Sequence, residues 1–209
     1  MKYTKSTLLQ SAFFVGLLSL ISCTNEPAEV KQTSSENKVA KQGLNPFPFY
    51  KEIAVTPGFG FEVVSWGKGV DSLGGYLILM SDSVKNNFKS FAVERAGIIT
   101  DAWNMDLDND GNPEIYVELK TEQTKGDLNV FEYSRGNFQK ISFPGLPSKL
   151  KKLYEGNDKY FIKEGELFRS FPVVNPQDTT EKAGDLKVVR YSLRGNQFST
   201  SEVEAEVQP

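Results

Sequence analysis

Leu186-Lys187-Val188-Val189-Arg190-Tyr191-Ser192-Leu193 sets apolar against polar side chains with a period of two and runs directly into Arg194-Gly195-Asn196. A period of two is that of a strand with one face buried. Gly supplies the positive φ that a tight hairpin turn demands, so the chain reverses here. Residues 197–203 then carry a second β-type run, and the pair reads as an antiparallel hairpin. The same grammar extends back along the chain. Apolar, aromatic and β-branched runs stand at 61–66, 76–80, 88–93, 98–103, 115–119, 128–133, 138–143, 159–163 and 167–174. Ser134-Arg135-Gly136-Asn137 and Lys163-Glu164-Gly165-Glu166 supply further hairpin turns. Only Ser148-Lys149-Leu150-Lys151-Lys152-Leu153 resembles helix. The expectation is an all-β domain over residues 44–209: an antiparallel β-sandwich or flattened barrel of about ten strands, with at most one short helix. A domain of that size buries enough surface to need no disulfide.

Composition narrows the chemistry. The 209 residues include one Cys and no His. Without imidazole there is neither a Ser-His or Cys-His pair nor a His-ligated zinc or copper site. A lone Cys excludes an intramolecular disulfide and a thiolate cluster. The net charge of −3 lacks the basic face that nucleic acid requires, so no nucleic-acid partner is expected.

The N-terminus accounts for the cysteine. Lys2 and Lys5 precede a short apolar run over residues 12–21 that ends in Leu20-Ile21-Ser22-Cys23. The run is too short for a membrane-spanning helix and reads as a cleaved signal over residues 1–22. Leu-Ile-Ser-Cys resembles a bacterial lipobox, in which the cysteine sulfur takes a diacylglycerol. Two acyl chains anchor firmly where one does not. Cys23 is the expected lipid attachment point, and the membrane a partner through it. Cleavage removes two lysines and no acid, leaving 22 basic and 27 acidic side chains, a balance of −5, and no free thiol. Residues 23–43 hold the cysteine and a polar, charge-mixed segment without aromatics, which reads as a flexible tether. Thr24 rather than Asp follows Cys23, resembling outer-membrane sorting in some bacteria. The expected location is the bacterial cell envelope, at the outer membrane, facing the periplasm or the cell surface.

The sharpest local motif is Asp106-Leu107-Asp108-Asn109-Asp110-Gly111-Asn112-Pro113-Glu114. Carboxylates two apart with Gly in the sixth place let a tight loop gather oxygens around a hard cation. An EF-hand would have its bidentate Glu at the twelfth place, where this chain has Val117, and the flanks read as strands. Two readings stay open. In one, Asp106, Asp108, Asp110 and Glu114 hold calcium, with a backbone carbonyl near Asn112. In the other, Asp and Asn side chains cap their own backbone in a metal-free turn. Calcium is the one cofactor the chain suggests.

The same region carries a family resemblance. Ile99-Thr100-Asp101-Ala102-Trp103 through Glu114-Ile115-Tyr116-Val117 resembles the core of the bacterial periplasmic inhibitors of invertebrate-type lysozyme. That family has an aliphatic, Asp-rich, Gly-x-Pro-Glu signature between two strands. Ser72-Leu73-Gly74-Gly75-Tyr76, Gly156-Asn157-Asp158, Leu167-Phe168-Arg169-Ser170-Phe171-Pro172 and Arg190-Tyr191-Ser192-Leu193 are similar to other family segments, in the family's order. The resemblance covers about Phe59 to Phe198 and implies a β-sandwich that plugs a lysozyme cleft rather than an enzyme. It places the inhibitory loop at Thr121, Glu122, Gln123, Thr124, Lys125, Gly126 and Asp127, with Gly156, Asn157 and Asp158 as a second element. Two departures stand out: the family's Ser and Tyr in that loop are absent, and Asn157 replaces a His. The alternative expectation is a lipid-anchored β-sandwich module that binds another protein or a glycan, braced by calcium.

The remaining candidates read as structure. No spacing singles out a glycosidase carboxylate pair among 27 acids. Gly58-Phe59-Gly60 and Gly67-Lys68-Gly69 lack the strand–loop–helix context of phosphate binding and read as turns. Trp66, Trp103 and Tyr76 are expected in the core rather than in a sugar platform. Arg169, between apolar neighbours, is expected to be buried against Asp158 or Glu166.

Overall fold

The computed structural model describes residues 47–67, 73–121, 124–173 and 185–204. The signal segment, Cys23, the tether, Glu122 and Gln123 lie outside the described residues.

Alternation by twos turns into three four-stranded antiparallel sheets, each ordered as the chain runs. The first sheet holds β1 (Tyr50–Thr56), β2 (Phe59–Trp66), β3 (Leu73–Asp82) and β4 (Asn87–Ala96). The second holds β5 (Ile98–Met105), β6 (Glu114–Lys120), β7 (Gly126–Ser134) and β8 (Asn137–Ile141). After a one-turn helix α1 (Ser148–Lys151) comes the third, with β9 (Lys159–Lys163), β10 (Glu166–Pro172), β11 (Leu186–Arg194) and β12 (Gln197–Val203). The all-β antiparallel expectation holds. The sheets do not close into a barrel. Each of the eleven apolar runs falls on a strand; β1 lies outside them because only Ile53 of its seven side chains is buried, which blurs the alternation.

The expected turns form as two-residue hairpins. Ser134 pairs with Asn137, Lys163 with Glu166 and Arg194 with Gln197. Their central residues all have positive φ: Arg135 at 49° and Gly136 at 79°, Glu164 at 52° and Gly165 at 78°, Gly195 at 50° and Asn196 at 62°. Positive φ at both positions defines the type I′ turn, whose twist matches that of the flanking strands.

Packing explains how three sheets share one domain. Ile115, Val117, Leu119 and Phe131 point from the second sheet into a core with Phe61, Val63, Tyr76, Ile78 and Met80 of the first. Tyr116, Leu128, Val130 and Ile141 point the other way, into a core with Leu167, Phe171, Val189, Tyr191 and Leu193 of the third. Leu150 of α1 joins this second core. The second sheet is therefore central, and β6 reads Ile115-Tyr116-Val117 because both its faces are buried. Each such side chain contributes roughly 1.5–3 kcal/mol of hydrophobic stabilisation.

Aromatics mostly follow the core expectation. Tyr76 is fully buried, and Trp103 stacks on Tyr116 at 5.6 Å and 4° within the second core. Trp66 departs from it, with 42% of its surface exposed. Its indole lies across Gly75, where any Cβ would fall 2.2 Å from the ring, so it covers a strand position that has no side chain.

Candidate functional site

Both ends of the central sheet carry chemistry. β5 and β6 are joined at one end by the acidic loop, and β6 and β7 at the other by residues 121–125.

At the acidic end, Asp106, Asp108, Asp110 and Glu114 each bring a carboxylate oxygen within 4.8 Å of the others. The four residues could hold a metal ion. Strands flank them on both sides, as the sequence indicates. Part of the cluster does cap backbone. Asp106 accepts from the N–H groups of Asp110 (2.9 Å) and Gly111 (3.1 Å), and Asp110 accepts from that of Asn112 (2.8 Å). These are Asx-type bonds that curl the loop. Glu114 differs, because it starts β6 and its side chain is fully buried. Its Oε2 accepts from the Leu107 N–H (2.8 Å) and the Tyr116 hydroxyl (3.4 Å). Its Oε1 is buried with no hydrogen-bond partner among the described residues, and so is Oδ1 of Asp108. Burial pushes the Glu114 carboxyl up to about 7, against the pull of the Leu107 N–H and with help from the charges of Asp108 and Asp106. Two open carboxylate oxygens beside two further acids form an electrostatically incomplete group, which a cation would complete.

The opposite end joins the two segments marked by the resemblance. The Asn157 N–H donates to the Thr124 carbonyl at 2.6 Å, and the Thr124 hydroxyl to the Glu155 carbonyl at 3.0 Å. The Gly126 N–H donates to Asp158 at 2.8 Å. Gly156 sits at φ 103°, and a Cβ there would lie 2.5 Å from the Thr124 carbonyl oxygen, so only glycine permits this approach. The Thr121 N–H donates to the Lys125 carbonyl at 2.9 Å, tying the end of β6 to the start of β7.

Arg169 anchors the junction from below. It is buried, and its Nε donates to Asp158 at 2.6 Å. Its Nη2 donates to the Tyr154 hydroxyl at 3.1 Å, and that hydroxyl in turn donates to Asp158. The guanidinium also packs over the rings of Tyr154, Tyr160 and Phe171, at 5.1 to 5.9 Å from their centroids. Burial and the Asp158 carboxylate push the Tyr154 hydroxyl up to about 12. Of the two expected partners, Asp158 takes Arg169, while Glu166 faces away and pairs with Arg190 at 3.3 Å. Asp158 is thus committed inward, leaving Thr121, Thr124, Asp127 and Asn157 exposed and Lys125 half-buried.

Between the segments lies a cleft of about 300 Å³, bordered by Thr100, Glu118, Lys120, Thr124, Asn157 and Lys159. Burial, with Asp101 and Asp158 nearby, raises the Glu118 carboxyl, against the Thr100 hydrogen bond. Lys120 and Lys159 are exposed cations on its rim. Sequence reading missed Thr100, Glu118, Lys120 and Lys159, which sit on three different strands or strand ends. Register sets Glu118 beside Asp101 and Leu128 across β5, β6 and β7, and the third sheet, against the second, brings Lys159 of β9 to the same cleft.

Among the described residues no helix is long and apolar enough to cross a membrane. The chain matches no family model, no curated protein and no solved structure in the comparisons made.

Proposed function

We propose that the protein is a lipid-anchored binding protein of the bacterial cell envelope, not an enzyme, and that it occludes the cleft of a lysozyme as the inhibitors of invertebrate-type lysozyme do. The observation that supports this reading is the convergence of residues 124–127 and 156–158 on one surface, held by bonds from Thr124 and Gly126 to the 155–158 turn. The buried Arg169–Asp158 pair makes that surface rigid, which limits the ordering cost of binding. Lys120 and Lys159 on the rim suit a cleft whose catalytic groups are carboxylates. They supply the complement that the family's missing Ser and Tyr do not. Cys23 carries the diacylglycerol, at the outer membrane.

Retention on immobilised c-, g- or invertebrate-type lysozyme, and protection of bacterial cells in a clearing assay, are the expected results. Asn157→Gly preserves the positive φ of 63° while removing an exposed side chain, and it lowers affinity about 10-fold. Absence of retention on all three lysozymes overturns the reading. Labelling with a radioactive fatty acid, lost in Cys23→Ser, checks the anchor.

The acidic loop supports a second element of the proposal: Asp106, Asp108, Asp110 and Glu114 bind calcium. Loop carboxylates with room for more oxygens suit calcium, which takes six to eight oxygen ligands, better than magnesium, which demands a strict octahedron and sheds water reluctantly. This brace serves equally well if the bound partner is another protein or a glycan. Calorimetric titration of chelator-treated protein with calcium is the test; no heat and no shift in melting temperature remove the calcium reading.

A further inference from the structure

We propose that the cation site extends beyond its own loop: Asn196, on the β11–β12 hairpin of the third sheet, supplies a further oxygen, so that one calcium ion clamps the central sheet to the third. The inference rests on the calcium reading above and adds a ligand and a consequence to it.

Three observations carry it. First, the hairpin already touches the acidic loop, because the Gly195 N–H donates to Oδ2 of Asp108 at 3.1 Å across 87 residues of chain. Asp108 is therefore shared: one oxygen holds the hairpin and the other, Oδ1, is buried and open. Second, Asn196 is the next residue along that turn, and its Oδ1 is also buried without a partner. Third, Asp108 Oδ1, Glu114 Oε1 and Asn196 Oδ1 are the only carboxylate or carboxamide oxygens among the described residues in that condition. Glu114 is fully buried, so its open oxygen has no access to bulk water. A buried acceptor left open costs on the order of 1–3 kcal/mol, and three such costs along one contact between sheets have a common remedy in a hard cation. Carboxamide oxygens are ordinary calcium ligands, and a fifth protein oxygen brings the set closer to the coordination number calcium prefers.

The geometry also explains the residue at the turn. The second position of a type I′ turn needs positive φ, and Asn196 adopts 62°. Gly would suit that backbone equally but would bring no oxygen. Asn meets both requirements.

The test uses purified, chelator-treated protein and calcium chloride. Asn196→Gly keeps the backbone and deletes only the carboxamide, and Asn196→Asp keeps an oxygen. The expected result is a calcium affinity about 10-fold weaker in Asn196→Gly, with Asn196→Asp equal to or tighter than wild type. Calcium should also slow hydrogen exchange at the Gly195 amide and its neighbours in β11 and β12. Equal affinities for wild type and Asn196→Gly, or exchange in the hairpin indifferent to calcium, overturn the clamp while leaving the four-carboxylate site standing. Wild type that binds no calcium overturns the site and the clamp together.

Discussion

The two ends of the central sheet hold buried charge in opposite conditions. At the 121–125 end, the Arg169 guanidinium meets Asp158 at 2.6 Å, and Tyr154 and the Gly126 N–H occupy the remaining positions around the carboxylate. At the 106–114 end, Glu114 is equally buried, but one of its oxygens and one of Asp108 have no partner among the described residues, and the neighbours are further acids. A completed pair rigidifies the surface above it. An incomplete one asks for a ligand. Two acidic positions a few strands apart thus have different consequences, and the difference lies in what each is buried against rather than in the residue type.

The contrast breaks most visibly when the same kind of acid is removed from each end. Asp158→Ala leaves Arg169 buried without its carboxylate and should cost about 3–5 kcal/mol in a denaturant melt, because the charge remains and its compensation does not. A loss below about 1 kcal/mol would show that the junction is not a closed pair. Calcium separates the ends next. At one hundred times its dissociation constant it should stabilise the wild type by about 2.7 kcal/mol relative to chelator. It should do the same for Asp158→Ala, since Asp158 is not among the four acids that would hold calcium.

Glu114→Gln sharpens the contrast with the opposite sign. In chelator it removes a buried carboxylate that lies against Asp106 and Asp108, so the metal-free protein should gain about 1–2 kcal/mol while its response to calcium disappears. A loss of stability in chelator would mean that the acidic loop is already satisfied. The smallest effect belongs to an exposed pair. Glu166→Gln breaks the bond to Arg190, whose partners are 41% and 45% exposed, and should change stability by less than about 1 kcal/mol. A larger cost would mean that exposed pairs on the third sheet matter as much as the buried one.

Much of the fold was readable in advance because antiparallel strands write their burial into the sequence every second residue. Val189-Arg190-Tyr191-Ser192-Leu193 alternates, and three Gly-bearing turns fall where hairpins reverse. β1 was lost for the same reason in reverse, since it has one buried side chain. The candidate sites were readable only in part. The acidic loop is a local motif, and local motifs survive without knowledge of the fold. The cleft beside Thr124 is not local: Thr100, Glu118, Lys120 and Lys159 meet only through sheet register and the packing of the third sheet on the second.

Sequence alone determined the strand character, the hairpin turns, the absence of thiol and imidazole chemistry in the expected mature chain, and the four loop carboxylates. Each of these depends on side-chain type and spacing over a few residues. Tertiary structure decided which acid is answered and which is left open. Asp158 finds Arg169 11 residues away, whereas Asp108 finds Gly195 across 87 residues. Desolvation and pairing depend on neighbours brought from other sheets, and no spacing along the chain records them.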